Sequence, residues 1–327
     1  MRQPTARYQN FLMDSDRWTG FPFRAGDIVI STPGKCGTTW TQMICALLIF
    51  QSTDFPQPLD VMSPWPDVFT RKREEVLADL EAQDHRRFLK THTPLDGLPF
   101  DEQVTYVTVG RDPRDVAISF DNHMANTDFD SLMALRAVAI GEPLPAAPGD
   151  QALGAVGNGG LAGQAGPAVL PPGVPDPAQS PHQRFWSWIG AEDDFVGLRT
   201  MLHHLDTFWQ ARHLPNVVLL HYDEMKADLD GVMRRLADRL GISVPEDRWP
   251  DLVRAAEFTQ MKRRAKELAP ETVIWRDPDR FFHRGVSGQW RALLDEDDLR
   301  RYRERVYALV DPDLVAWIHQ AAPLDLP

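Results

Sequence analysis

Short apolar runs alternate along this chain with longer stretches of helical periodicity, and together they predict an α/β fold. Four runs have the length of strands, at 28–30, 86–92, 104–110 and 217–222. Apolar residues three and four positions apart predict helices directly after the first run and at 71–84, 112–124, 182–214, 228–240, 248–268 and 299–321. Strands that alternate with helices favour one central parallel sheet with helices on both faces.

Chain length and one change in composition set the expected domain organisation. At 327 residues the chain could form one large domain or two smaller ones. Glycine and proline are concentrated at 141–181, where charges are sparse. The fourth predicted strand follows this segment, so we interpret it as a flexible insert within a single domain spanning 1–327. It could be a mobile lid or a surface loop without a role.

The charge balance narrows the partners that we expect. A net charge of −12 disfavours nucleic acid, whose backbone needs a basic face, but a few cations in a cleft can still bind a small polyanion. No apolar run is long enough to span a bilayer, and the first residues lack the apolar core of a secretory signal. Cys36 and Cys45 lie in one loop-helix unit, so we expect no structural disulfide and a cytoplasmic protein.

The first predicted strand-turn-helix unit has the features of a phosphate-binding loop. Pro33, Gly34 and Gly37 interrupt regular structure, and Thr38 or Thr39 is predicted to cap the helix that follows. Free backbone N–H groups at such a helix start bind anions, and Lys35 adds a positive charge. The lysine precedes the second glycine, whereas in a Walker nucleotide loop it follows it. An ordinary strand-to-helix turn remains the alternative.

A second candidate site lies at the end of the second predicted strand, in F-L-K-T-H-T-P. Lys90 and His92 share one face of that strand. A neighbouring cation disfavours protonation of a histidine, which suits a general base near neutral pH. The alternative is a structural histidine beside a solvated lysine.

Several motifs resemble those of cytosolic-type sulfotransferases that use 3′-phosphoadenosine 5′-phosphosulfate (PAPS). G-K-C-G-T-T-W at 34–40 resembles the family's P-K-S-G-T-T-W, with Gly34 and Cys36 as departures. K-T-H at 90–92 resembles the catalytic strand, and R-D-P-R-D-V-A-I-S at 111–119 resembles the 3′-phosphate motif. H-Y-D-E-M-K at 221–226, F-T-Q-M at 258–261 and H-R-G-V-S-G-Q-W at 283–290 resemble the segments around the adenine and the 3′-phosphate, with His283 in place of an arginine.

This resemblance implies in-line transfer of a sulfuryl group from PAPS to an acceptor hydroxyl or amine, with adenosine 3′,5′-bisphosphate (PAP) as the product and no metal. It implies His92 as general base, and Lys35 and Lys90 as the cations that stabilise the transferred group. The residues that it implies for donor binding are Lys35, Cys36, Gly37, Thr38, Thr39, Trp40, Arg111, Ser119, Tyr222, Phe258, Met261, His283, Arg284 and Gly285.

Aromatic residues bear on the acceptor, and one C-terminal segment bears on the assembly. Aromatic residues that could line an apolar acceptor pocket, and so favour a small apolar or aromatic acceptor, are Phe21, Phe23, Trp65, Phe69 and Phe129. The segment 291–300 does not match the family's dimer motif, so a homodimer would use another mode. Three alternatives stay open: a kinase-like P-loop phosphotransferase, a catalytically silent nucleotide-binding protein, and a family member that acts on glycans or peptides in a secretory organelle.

Overall fold

The structure, a computed structural model, describes residues 1–142, 174–192, 196–270 and 272–324. Most of the predicted insert at 141–181 lies outside these residues. The strands are β1 (Ile28–Ser31), β2 (Phe88–Thr91), β3 (Thr105–Gly110) and β4 (Val217–His221). They form one parallel sheet in the order β2-β1-β3-β4. The predicted strands and the predicted parallel sheet are confirmed.

Helices connect and cover the strands, mostly where the apolar periodicity predicts them. In the described part of the chain they are α1 (Thr38–Phe50), α2 (Leu59–Met62), α3 (Arg73–Ala82), α4 (Pro113–Asn126), α5 (Phe129–Ile140), α6 (Pro181–Gly190), α7 (Leu198–Gln210), α8 (Tyr222–Ala227), α9 (Leu229–Leu240), α10 (Trp249–Ala256), α11 (Phe258–Arg263), α12 (Ala265–Leu268), α13 (Glu296–Tyr307) and α14 (Pro312–Ile318).

Two expectations about these helices were wrong. The stretch 182–214 forms two helices, because Ala191 takes an extended conformation and ends α6. The residue that caps α1 is Gly37, not a threonine, and the helix starts without a side-chain cap. The Thr38 hydroxyl lies instead 2.6 Å from that of Thr32, so it ties the helix start to the end of β1.

Helices α2, α5 and α8 had no counterpart among the predicted elements. The longest of these is α5. Asp128 caps it by accepting hydrogen bonds from the N–H groups of Asp130 and Ser131, at 3.2 and 3.4 Å. This is a local start signal of the ordinary kind. The helix brings Phe129 and Leu132 to the cleft described below.

The core lies on both faces of the sheet, as the apolar strands require. Ile28 and Ile30 of β1 pack with the buried helix α1 in one cluster. Val29, between them, points to the opposite face and packs with Leu89 and Tyr106 in a second cluster. This alternation fixes the register of the sheet, because a shift by one residue would exchange the two faces.

No helix in the described ranges is long and apolar enough to cross a membrane.

Candidate active site

The carboxyl edge of the sheet brings the predicted site residues together. The residues that directly follow β2, β3 and β4 are His92, Arg111 and Tyr222, and β1 leads into the loop that carries Lys35. The strand order therefore places them along the edge as His92, the Lys35 loop, Arg111 and Tyr222. All four line one cleft of about 870 Å³. This is the edge at which open α/β sheets bind ligands.

The loop between β1 and α1 has an unusual backbone. Lys35 has a φ of +67° and Gly37 a φ of +103°, both in the left-handed region. Such a conformation is strained for a residue with a side chain and is often found at binding sites. A Cβ atom on Gly37 would lie 3.3 Å from the Tyr222 ring. A glycine here thus allows the turn and the close approach of the β4 end to the loop.

The Lys35 ammonium lies among other cations and aromatic rings. Its Nζ atom is 3.1 Å from Nδ1 of His123 and 5.6 Å from the centroid of the Phe281 ring. Dense surrounding protein, and then the charges of Arg111 and Lys90, lower the pKa of Lys35 to about 7. Such clustered positive charge in a cleft of an acidic protein favours an anionic ligand.

His92 is held in a defined orientation beside Lys35. Its Nδ1 atom lies 2.7 Å from the carbonyl oxygen of Thr32, and its ring meets the Trp65 ring edge-on at 4.8 Å. Burial, followed by the charge of Lys90, lowers the pKa of His92 to about 3. A carbonyl only accepts, so the neutral imidazole carries its proton on Nδ1 and keeps a lone pair on Nε2. Lys90, the other cation predicted to act in catalysis, lies with Nζ 4.4 Å from the centroid of the Trp65 ring.

A buried carboxylate on the other side of β2 supports this strand end. Asp67 is fully buried and accepts hydrogen bonds from the hydroxyls of Thr91, at 2.8 and 3.0 Å, and Thr93, at 2.6 Å. Because side chains alternate along a strand, these threonines face away from Lys90 and His92. Asp67 was not among the predicted site residues; nothing in its local sequence signals the contact.

Arg111 spans the loop and the β4 end. Its Nη1 atom donates to the carbonyl oxygen of Lys35 at 2.8 Å, and its guanidinium carbon lies 4.0 Å from the centroid of the Tyr222 ring. Its Nε atom is buried and has no hydrogen-bond partner among the described residues. Ser119, on α4, lines the same cleft. A buried donor of this kind is satisfied when an anion binds.

The aromatic end of the cleft is built from three elements. Trp40 on α1 meets Tyr222 edge-on at 5.5 Å, and its Nε1 atom donates to the carbonyl oxygen of Ala256 at 2.8 Å. Phe258 and Met261 come from α11 and also line the cleft. These side chains form an aromatic and apolar surface of the type that binds a nucleobase.

The loop before α13 closes over this end. Asp115 accepts hydrogen bonds from the backbone N–H groups of Gly288, at 2.8 and 2.9 Å, and Gln289, at 3.1 Å. Gly285 has a φ of +64°, and a Cβ atom there would lie 2.6 Å from the Phe258 ring. His283 and Arg284 line the cleft on the same loop, with Arg284 exposed. Asp115 thus fixes the position of this loop.

Nearly all predicted donor-binding residues line the cleft, and one does not. Lys35, Gly37, Thr38, Thr39, Trp40, Arg111, Ser119, Tyr222, Phe258, Met261, His283, Arg284 and Gly285 do so. The Cys36 thiol is instead buried in the core cluster, and burial raises its pKa to about 12. Any contact of Cys36 with a donor would therefore involve its backbone.

The apolar side of the cleft differs in part from the expectation. Trp65 and Phe129 line it, whereas Phe21 and Phe23 belong to the core cluster on the other side of the sheet. Phe69 packs under the guanidinium of Arg136, at 5.5 Å. Lining residues that sequence reasoning missed include His123, Ile274, Trp275 and Phe281. Of these four, His123 carried a signal in the sequence, because it lies four residues after Ser119 and so on the same face of α4.

Comparisons with known proteins identify the family of this chain. The family model described as "Sulfotransferase domain" matches residues 25–311. A glycolipid sulfotransferase of Mycobacterium bovis is 40% identical over 96% of this chain and 94% of that protein. Solved structures that share the fold include the following two. Retinol dehydratase in a complex with retinol and PAP has a TM-score of 0.63 at 19% identity, over 96% of this chain and 89% of that one.

Mouse sulfotransferase SULT7A1 complexed with PAP has a TM-score of 0.64 at 16% identity, over 94% of this chain and 93% of that chain. The P-loop-like α/β fold is therefore confirmed. The chain belongs to the sulfotransferase family, whose members move a sulfuryl group from PAPS to an acceptor and release PAP.

Proposed function

We propose that this enzyme transfers a sulfuryl group from PAPS to a hydroxyl, or an amine, of an apolar or aromatic acceptor, with His92 as general base. The observation that carries the proposal is the hydrogen bond from His92 Nδ1 to the Thr32 carbonyl oxygen, 2.7 Å long. It leaves Nε2 unprotonated at the edge of the cleft, next to Lys35 and Lys90.

The cleft residues fit the charge pattern of the donor, which supplies the sulfuryl group and its leaving phosphate. The N-terminus of α1 has no side-chain cap, so its first N–H groups and Lys35 can bind the 5′-phosphosulfate. Arg111 can bind the 3′-phosphate, because its buried Nε has no partner in the described part of the chain. Ser119, Arg284 and Gly285 line the same cleft and can bind this phosphate as well.

The remaining donor contacts follow from the same geometry. Thr38 and Thr39 would donate to the 5′-phosphate at the start of α1. The aromatic end would bind the adenine through Trp40, Tyr222 and Phe258, with Met261 beside them. His283 would lie near the 3′-phosphate.

The chain's own residues then divide the chemistry. His92 Nε2 accepts the proton of the attacking hydroxyl, and the Thr32 carbonyl stabilises the resulting imidazolium through Nδ1–H. Lys35 stabilises negative charge on the leaving phosphate, and Lys90 that on the transferred group. Because the groups are fixed by the sheet edge before binding, little reorganisation is needed.

The acceptor side of the cleft supports an amphiphilic molecule. Trp65, Phe129, Trp275 and Phe281 present aromatic surface next to His92 and Lys35. The similarity to a mycobacterial glycolipid sulfotransferase extends over almost the whole chain, which favours a lipid-like acceptor with hydroxyl groups.

We also propose that residues 1–327 act as one domain in a reducing cytoplasm. Cys36 and Cys45 are both free and buried, which suits such a compartment.

A screen of alcohols, phenols and amines with labelled PAPS tests the activity, and a thermal-shift comparison tests the donor site. We expect PAP to stabilise the protein well beyond AMP, because only PAP carries the 3′-phosphate that Arg111 would bind. Equal stabilisation by both nucleotides would contradict the assignment of Arg111 to the 3′-phosphate. Absence of transfer to every acceptor would contradict the proposed activity.

A further inference from the structure

A second histidine, His123, lies in the cleft and has no role in the chemistry described so far. It lies on α4, four residues after Ser119. On one side its Nδ1 atom is 3.1 Å from Lys35 Nζ. On the other side its ring packs against Trp275, at 4.8 Å between centroids, and Phe281, at 6.1 Å. His123 therefore lies between the loop that carries Lys35 and the aromatic side of the cleft, formed here by Trp275 and Phe281.

The contact with Lys35 defines which nitrogen of His123 carries the proton. A lysine ammonium has three donors and no acceptor, so the Nδ1 atom that faces it must present a lone pair. An anionic donor keeps Lys35 in that charged form. Burial, with Lys35, Lys90 and His92, lowers the pKa of His123 well below its usual value. The ring is therefore neutral, and its single N–H is on Nε2.

His92 and His123 thus have opposite tautomers in one cleft. His92 donates from Nδ1 and offers a lone pair at Nε2, whereas His123 accepts at Nδ1 and offers a proton at Nε2. One ring can remove a proton from a hydroxyl, and the other can donate a hydrogen bond to an oxygen without removing anything. The two rings are complementary in function.

The Nε2–H group of His123 has no acceptor among the residues that the structure describes. The surrounding wall is apolar: the cluster next to His123 contains Leu132, Ile274 and Trp275, with Phe129 and Phe281 packed on it. A single polar donor in an apolar wall orients a ligand by one specific hydrogen bond. None of the described residues competes for this donor, so an oxygen of the acceptor can take the hydrogen bond.

We propose that His123 is a specificity-determining residue whose Nε2–H donates a hydrogen bond to a second oxygen of the acceptor, beside the hydroxyl that is sulfated. The preferred acceptors are then amphiphiles with neighbouring hydroxyls, such as a polyol or sugar head group on an apolar tail. This inference rests on the proposed function, because it assumes that the apolar side of the cleft binds the acceptor.

Three variants test the contributions of the two ring nitrogens of His123 separately. His123→Phe keeps a ring against Trp275 and Phe281 but removes both nitrogens. His123→Gln places an amide donor near the position of Nε2, and His123→Asn places one near Nδ1, on the Lys35 side. The probes are octanol and its vicinal diol, which differ by one hydroxyl. The readout is the ratio of the two kcat/KM values within each variant, which cancels any effect on donor binding.

We expect the wild type to prefer the diol by about 3- to 10-fold, the contribution of one net hydrogen bond. His123→Gln should keep this preference, whereas His123→Phe and His123→Asn should lose it, mainly through KM. The same preference in His123→Phe as in the wild type would overturn the inference. Transfer to both alcohols without preference by the wild type would overturn it too, and would leave the proposed function intact. No transfer to any acceptor, with no stabilisation by PAP, would overturn both.

The tautomers of both histidines can be determined by NMR, without a measurement of activity. In the PAP complex of the ¹⁵N-histidine-labelled wild type, nitrogen chemical shifts distinguish a protonated Nδ1 from a protonated Nε2. Spectra of His123→Phe assign the signals. We expect the proton of His123 on Nε2, and a proton on Nδ1 would contradict the proposal.

Discussion

The Nδ1 atom of His92 lies 2.7 Å from the main-chain carbonyl oxygen of Thr32. Thr32 directly follows β1 and precedes the loop that carries Lys35, whereas His92 directly follows β2. One hydrogen bond therefore joins the proposed base to the proposed donor loop. It also decides which ring nitrogen can take up the acceptor's proton.

Replacement of His92 should separate catalysis from binding. His92→Asn keeps an amide that can donate to Thr32 but has no basic nitrogen. We expect kcat to fall by about 10²- to 10⁴-fold, the usual contribution of a general base. Turnover with labelled PAPS measures this loss, and the affinity for PAP, measured by calorimetry, should change little. A variant with wild-type turnover would show that His92 is not the base.

Lys35 should make PAP binding depend on pH. Its pKa is about 7 in the protein without ligand, below the ordinary 10.5, so it is mostly neutral at about pH 8.5. Phosphate groups favour the ammonium, so PAP binding at that pH should take up about one proton. The affinity should then fall as pH rises above 7. Calorimetry in buffers of different ionisation enthalpy measures the uptake.

The matched control is Lys35→Arg, which keeps a positive charge that does not titrate in this range. It should bind PAP without proton uptake. The same depressed pKa also affects stability: the unfolded chain binds a proton between about pH 7 and 10.5 that the folded chain does not, so this group's destabilisation decreases as pH rises through that window. Equal proton uptake by both proteins would assign the proton to another group.

Asp67 should affect catalysis although it lies on the side of β2 that faces away from Lys90 and His92. Asp67→Ala leaves the buried hydroxyls of Thr91 and Thr93 without their acceptor, at a cost of about 2–3 kcal/mol in the free energy of unfolding. Because these residues flank His92, we expect kcat to fall more than the affinity for PAP. Urea unfolding and turnover measure the two effects.

Asp67→Asn serves as the comparison, since its amide keeps one oxygen acceptor for the two threonines. It should lose less stability and less kcat than Asp67→Ala. Equal activity of Asp67→Ala and the wild type would mean that the strand end is fixed without this carboxylate.

Gly285 should be required for the close packing of its loop against Phe258 at the aromatic end of the cleft. In Gly285→Ala the new Cβ would lie 2.6 Å from the Phe258 ring, at a φ of +64°. We expect the loop or the ring to move, and the PAP dissociation constant to rise by about 10-fold or more, equivalent to about 1.4 kcal/mol. Gly190→Ala is the control, because among the described residues no atom beyond its chain neighbours and its own helix lies within 4 Å of the added Cβ. Equal PAP affinity in both variants would contradict this role of Gly285.

The sequence predicted the sheet and most of the donor site for a local reason. Each strand is a short apolar run, and the residues of interest directly follow it, as Lys90-Thr91-His92 and Arg111 do. Parallel strands end at the same edge, so contiguous motifs are enough to place these side chains together. The capping of α1 was mispredicted because the turn geometry selects Gly37 at a positive φ over a threonine side chain.

The amino-acid sequence by itself determined the α/β class, the family and the residues of the phosphate loop, because these depend on patterns within short stretches. Only the tertiary structure decided the pairing of Lys35 with His123, 88 residues apart, and of Asp67 with the back of β2. The tertiary structure also showed that Phe21 and Phe23 pack in the core away from the cleft, whereas Trp275 and Phe281 line it. Such contacts join distant segments, and they are fixed by how helices pack on the sheet, which no local pattern encodes.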